Sequence, residues 1–394
     1  MVRRLTQLDE VPRHQLGETF DTVADPSPHW SDGYYFTLGD DRGRYAWFMG
    51  FRLHANNDVL DAFTCVSVAG DGGVRGRQHN MRWSRRLRPD IDSLRCGPVS
   101  IEIIEGLRTL RTSCAPNRHG QSYDLVWEGI APPYNEDHVR IFVNGRLQSD
   151  RSNYLQCSNV SGWFDIDGRR VEVDGWCGVR DHSWGIGNHT GGPRSPAVAP
   201  PPEPLAAPGL RQWCVFRMRD RVVYWQFHHP GGDASYSKFE AHCAAPYGST
   251  APSFRYEPGD HEVTFVERDG RRLPRLASGT VALRRPDGVV ERYRIEPISF
   301  PVYLQGGGYF AGFDDGLGRG VYRGDLHDEG EVWEIDRGID VATPRPVELH
   351  RAHYAETWGR CTNLDDPSDT GTGHLECVVL GAYPGLTEQV RASS

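Results

Sequence analysis

Hydrophobic and polar residues alternate in short runs along most of this chain. VSIEIIEGLRTLRTS (99–113), VRIFVNG (139–145), RRVEVDG (169–175), HEVTFVERDG (261–270) and GTVALRRPDG (279–288) switch sides at nearly every step. A period of two is that of a strand with one buried face, and the Asn-Gly and Asp-Gly breaks are hairpin turns. Further turn signals stand at 40–43 (DDRG), 70–73 (GDGG) and 314–316 (DDG). Helical periodicity is confined to weak stretches near 84–95 and at the extreme C-terminus. The pattern predicts an all-β fold of antiparallel barrels or sandwiches with few helices.

The alternation stops at GGPRSPAVAPPPEPLAAPG (191–209), where proline cannot join a central sheet. A chain of 394 residues is also too long for one compact core. These observations predict an N-terminal β-domain over 1–192, a Pro-rich linker over 193–209 and a C-terminal β-domain over 210–394.

Composition narrows the class. The hydrophobic and aromatic fractions, 38% and 11%, fit a globular chain, and a net charge of −9 argues against a nucleic-acid surface. Lys238 is the only lysine among 44 basic residues, so no Walker phosphate loop is possible. No apolar stretch is long enough for a signal peptide or an integral membrane segment, which predicts a soluble, cytoplasmic protein. The nine cysteines are scattered without a CxxC pair and read as buried free thiols.

The stretch GWCGVRDHSWGIG (175–187) concentrates an acid, an imidazole, a hydroxyl and an indole. It is no serine nucleophile elbow, because Asp181 stands where GxSxG needs glycine. Strict alternation places Val171, Val173, Cys177, Val179, Asp181 and Ser183 on one face and Arg180, His182 and Trp184 on the other. A bulge at Gly175 or Gly178 reverses part of this assignment. An inward carboxylate or imidazole must find a partner or shift its pKa, which is also how a general acid is prepared. The bland alternative is a salt bridge from Asp181 to Arg180 or Arg217, with Trp184 plugging a barrel end.

After the linker, QWCVFRMRDRVVYWQFHHP (212–230) places Tyr224, Gln226 and His228 on one strand face and Trp225, Phe227 and His229 on the other. The first row could line a cavity for a largely apolar ligand, with no charged clamp evident beside it. Metal ligation has little support: His228 and His229 point apart, and HRAH (350–353) lacks a third ligand and the HExxH helix.

The order of these features, a β-domain ending in DHSWG, a linker, then a Trp-rich strand, resembles the hydroxyneurosporene synthase (carotenoid hydratase) and AttH-like superfamily. GHLECVVLGAYPG (373–385) looks like its bacterial two-domain branch. The resemblance implies two lipocalin-like domains and chemistry, with no cofactor and no metal, on a hydrophobic terpenoid or polyketide-like small molecule held between them. Members include hydratases, which are lyases, and cyclases or isomerases. His182, Trp184 and Tyr224 match functional positions of the hydratases, but Gln226 stands where they carry aspartate, and an amide has no proton to lend. The expectation is therefore acid-assisted C=C hydration, cyclisation or isomerisation. Asp181, His182, Tyr224 and His228 would be catalytic, with Trp184, Trp225, Gln226 and Trp163 around the substrate. The alternative is a non-catalytic carrier of a lipid, terpenoid or pigment; a hydrolase reading rests only on scattered acids such as Glu136 and Asp137. On the leading expectation Asp181→Asn and His182→Ala both abolish turnover and leave the melting temperature within a few degrees.

Overall fold

The computed structural model describes residues 7–12, 22–23, 25–70, 72–143, 145–187, 208–344 and 355–386. The all-β expectation holds. Their strands form two antiparallel sheets, and their only helical pieces are single 3-10 turns at Gln7–Glu10, Ala55–Asn57 and Leu304–Gly307. The stretch near 84–95, expected to be weakly helical, ends a strand at Arg86 and continues as turns. The C-terminal helical candidate, most of the Pro-rich linker and HRAH (350–353) lie outside the described residues.

The first sheet is a meander of Trp30–Gly39, Tyr45–His54, Val59–Ala69 and Arg75–Arg86. Trp30–Gly39 also pairs with Arg169–Ile186, which leads through Arg146–Ile166 to Gln121–Gly129 and Thr109–Cys114. In the second sheet, Gly209–Arg217 lies between Val222–His229 and Thr370–Leu380; the order continues through Ala355–Asn363, Val290–Pro297 and Arg271–Arg284 to Glu257–Arg268. The sheets do not divide at the linker. Leu326–Asp336, far into the second half of the chain, pairs along Arg75–Arg86 and covers that edge of the first sheet.

Three cores result. One fills the first sheet around Phe36, Trp47 and Trp127; another fills the second around Phe216, Trp225 and Tyr293. The third is shared: Phe48, Phe63, Leu155 and Val179 of the first sheet meet Trp213, Val215, Tyr224, Trp358 and Val378 of the second. Burying these apolar side chains, each worth about 1.5–3 kcal/mol, holds the sheets against one another.

The Arg169–Ile186 strand serves two of these cores. Val173 points into the first; then the ladder with Arg146–Ile166 slips between Val160 and Gly162, opposite Gly175 at φ +64°. That left-handed backbone suits glycine, and the bulge it allows resets the parity. Beyond it Cys177 and Val179 face the shared core, and Asp181 and Ser183 follow them toward the second sheet. Arg180 and His182 turn back into the first sheet, where Arg180 is 1% exposed. Its guanidinium meets Glu10 Oε1 at 2.7 Å and Gln156 Oε1 at 2.6 Å. Glu10, also fully buried, accepts from the Tyr154 hydroxyl at 2.8 Å and the Leu107 amide at 2.7 Å. Burial pushes the Glu10 carboxyl up, but the Arg180 and His182 charges and these hydrogen bonds hold it below its ordinary 4.5.

Removing one partner leaves the other charge buried and unpaired. Glu10→Ala should therefore cost about 3–5 kcal/mol, read as a lower urea midpoint. A depressed native pKa makes this contribution complete above 4.5 and lost as pH falls through the lowered value. Glu10→Gln should accordingly flatten the acid limb of the stability profile. An unchanged midpoint in Glu10→Ala would refute the role assigned to this pair.

Candidate functional site

Beside the shared core lies a cavity of about 120 Å³, partly open to solvent. The first sheet contributes Tyr35, Arg52, Asn153, Asp181 and Ser183, and the second Arg211, Trp213, Gln226, Glu356 and Glu376. Glu136, Tyr309 and Arg319 complete much of the wall. The alternation that sends Val179 into the shared core also sends Asp181 into the cavity, two residues on.

Asp181 is ringed by protein and partly exposed toward the cavity. Burial, and after it the charge of Glu136, push its carboxyl up to about 7, against weaker opposing pulls from Arg52 and Arg151. Asn153 Nδ2 donates to it from 3.5 Å, a long hydrogen bond. Near neutral pH this acid is partly protonated, as a general acid requires. Arg52 is held by Ser31 Oγ at 2.9 Å and Ser183 Oγ at 2.5 Å. Burial and the neighbouring Arg319 lower it to about 10, which leaves it cationic at neutral pH.

Across the cavity, Gln226 Nε2 donates to Glu136 Oε2 at 2.7 Å and to Glu240 Oε2 at 2.9 Å. Both amide hydrogens are thereby committed to carboxylates. Trp213 Nε1 donates to Glu136 Oε1 at 2.8 Å, and Tyr134 donates its hydroxyl hydrogen to Glu240 at 2.7 Å. Burial and the Glu136 charge raise the Glu240 carboxyl. On another wall, Tyr35 donates to Glu356 at 2.5 Å, and Arg211 meets Glu376 at 2.5 Å.

Residues 5–386 match the model of a family of unknown function (DUF8625). The chain belongs to the DUF8625 family. No curated protein matches its sequence. Among solved structures, a putative AttH (NE1406) from Nitrosomonas europaea superimposes with a TM-score of 0.52 at 14% identity, over 94% of this chain and 98% of that one. The DUF8625 protein thus has the all-β, lipocalin-like architecture of that AttH protein. Kievitone hydratase from Nectria haematococca (TM-score 0.40, 10% identity, 93% of this chain and 96% of that) and CghA (0.40, 9%, 90% and 89%) are also similar in structure.

Of the residues singled out in the DUF8625 sequence, the cavity gathers Asp181 and Gln226. His182 is on the opposite strand face from Asp181. It is fully buried, with Nε2 2.8 Å from Asp32 and Nδ1 3.2 Å from the Tyr154 hydroxyl, so this catalytic candidate belongs to an Asp32–His182–Tyr154 group apart from Asp181. Trp184 packs beside that group, and Trp225 turns into the second core, donating Nε1 to Gln212 at 2.9 Å; neither lines the cavity. Tyr224 shares the face of Gln226 but is sealed in the shared core, where its hydroxyl, near Glu136, forms no hydrogen bond of normal geometry. His228 sits at the strand end, 2.5 Å from Ser237 Oγ, and Trp163 lies beyond the bulge under Arg170, whose guanidinium is 4.2 Å from its ring centre. The Asp181 salt bridge does not form either: Arg180 pairs with Glu10, and Arg217 with Asn159 and the Gly175 carbonyl. Asp137 pairs with Arg255 at the surface, whereas Glu136 belongs to the cavity. All nine cysteines are free and buried.

The arginines and the Glu356, His374 and Glu376 group were not anticipated. One signal for the latter exists in GHLECVVL, where His374 and Glu376 share parity with the buried Val378. Two polar groups on the apolar face of a strand mark a place where that face is not packed shut.

These placements separate two substitutions expected to behave alike. His182→Ala leaves Asp32 buried without its imidazole and should cost about 3 kcal/mol or more in a urea titration. Asp181→Asn should do the reverse at alkaline pH. Its folded pKa of about 7 exceeds the ordinary 3.8, so its contribution to stability is complete below 3.8 and lost as pH rises through about 7. The variant should gain on wild type as pH rises from about 3.8 to about 7 and keep that gain above it, and a pH-independent difference would show that the carboxyl is not shifted.

Proposed function

We propose that this protein is an enzyme in which Asp181, as general acid, protonates a C=C bond of a small molecule held between the two sheets, leading to hydration, cyclisation or isomerisation. The observation that carries this reading is a single one: an aspartic acid that faces a cavity, its carboxyl pushed up to about 7 by burial. In the hydration form, the Asp181 proton goes to one alkene carbon, a water oxygen bonds to the resulting cation, and that water returns a proton to the carboxylate. The rings of Tyr35 and Trp213, which line the cavity, favour cationic character in between. Arg52 and Arg211 offer positive charge to an oxygen-bearing end of the substrate.

The cavity volume bounds what can be held. A pocket of roughly 150 Å³ accommodates benzene, so about 120 Å³ takes one ring or a short branched end. The substrate we infer is an oxygenated terpenoid- or polyketide-like molecule with only its reacting end enclosed. Likeness to the hydroxyneurosporene synthase group supports the same chemistry through the DHSWG stretch, with the acid moved from the missing aspartate at Gln226 to Asp181.

Mass spectrometry of small molecules that co-purify with the protein identifies the ligand class, and incubation of that ligand in D2O tests the chemistry. Turnover should place one deuterium on carbon, fall as pH rises above about 7, and drop by about 10²–10⁴-fold in Asp181→Asn. Ligand returned unchanged and free of deuterium would favour the carrier alternative. Full activity of Asp181→Asn would remove Asp181 as the acid.

A further inference from the structure

We propose that Glu356, His374 and Glu376 form a binding site for one divalent transition-metal ion, with its open coordination position facing the cavity. The three side chains come from neighbouring strands, Ala355–Asn363 and Thr370–Leu380, in which Trp358 faces His374 and Thr357 faces Leu375. That register brings Glu356 and Glu376 abreast at the end of the ladder. Their ligand atoms and those of His374 all lie within 4.8 Å of one another, and all three residues are buried, at 3%, 4% and 0% exposure.

The second observation is the imidazole itself. His374 is fully buried, and neither ring nitrogen has a hydrogen-bond partner. A desolvated imidazole without partners costs free energy unless something accepts or donates to it. Nε2 lies 3.5 Å from Glu356 Oε2, too far for a good hydrogen bond. It is close to the edge of about 3.4 Å expected between two ligands of a tetrahedral ion with bonds of about 2.1 Å.

The carboxylates add the charge requirement. Like charges directly opposite on a sheet repel. With their oxygens within 4.8 Å of each other and both side chains buried, this pair calls for a bound proton or a cation beyond what Arg211 supplies to Glu376. Tyr35 and Arg211 then act as outer partners that orient the two carboxylates. One imidazole with two carboxylates suits zinc or another first-row ion, where calcium and magnesium prefer all-oxygen sites. Three protein ligands leave a position free, and Glu356 and Glu376 themselves line the cavity, so the ion would be reached from there.

Zn²⁺ alone is the probe. The full-length protein, stripped with chelator, reloaded with Zn²⁺ and desalted, should retain one ion per chain by elemental analysis. X-ray absorption at the zinc edge should show one imidazole and oxygen neighbours at about 2.0 Å. His374→Ala and Glu376→Gln should weaken zinc binding by more than the ~10–100-fold that loss of an outer partner causes, and His228→Ala should leave it unchanged. No retained zinc, an absorption spectrum without imidazole, or unaltered affinity in folded His374→Ala would overturn the site. If both ligand variants fail to fold, the wild-type absorption spectrum decides alone.

Discussion

Consecutive residues of a strand look in opposite directions, and in Arg169–Ile186 the two directions are two different interiors. Arg180 and His182 reach into the first sheet and bind Glu10 and Asp32, while Val179 and Asp181 reach toward the second sheet. One strand therefore closes a barrel with one face and furnishes a reactive group with the other. The bulge at Gly175 sets which residues do which. Without it, the valines before the bulge and the cysteine after it would share a face, and the first core would lose either its lining or its tie to Glu10.

The cavity is polar where a hydrophobic substrate led us to expect an apolar wall. Four arginines and four carboxylates face it, placed so that each carboxylate has a different environment. Glu376 has an arginine, Glu136 an amide and an indole, Glu356 a phenol, and Asp181 little more than a distant asparagine. Burial with few compensating partners is what pushes the Asp181 carboxyl up.

The fold was legible from alternation and turn chemistry because both are local properties of a strand and its hairpin. So was the parity of Asp181 with Cys177 and Val179, and of Gln226 with Tyr224. The sequence does not show which of two opposed faces meets a cavity when both are covered. That is why His182 and Trp184, polar and aromatic beside Asp181, were expected in the site and lie in the barrel instead. Arg52 and Glu356 were invisible for a related reason: each comes from a strand distant in sequence, and only sheet packing brings them to Asp181. The membership of Leu326–Asp336 in the first sheet is likewise a non-local pairing with no local signature.

That pairing bears on how the molecule is made. The edge of the first sheet is completed by residues synthesised some two hundred and fifty positions after the strand they join, following the whole linker and most of the second sheet. A nascent N-terminal half must wait on the ribosome with Arg75–Arg86 uncovered, a long open edge of the kind that invites pairing with other chains. Once closed, the same stitch ties the two halves at a point away from their shared core, so that loosening either half strips an edge from the first sheet. The molecule should then be born slowly and lost all at once.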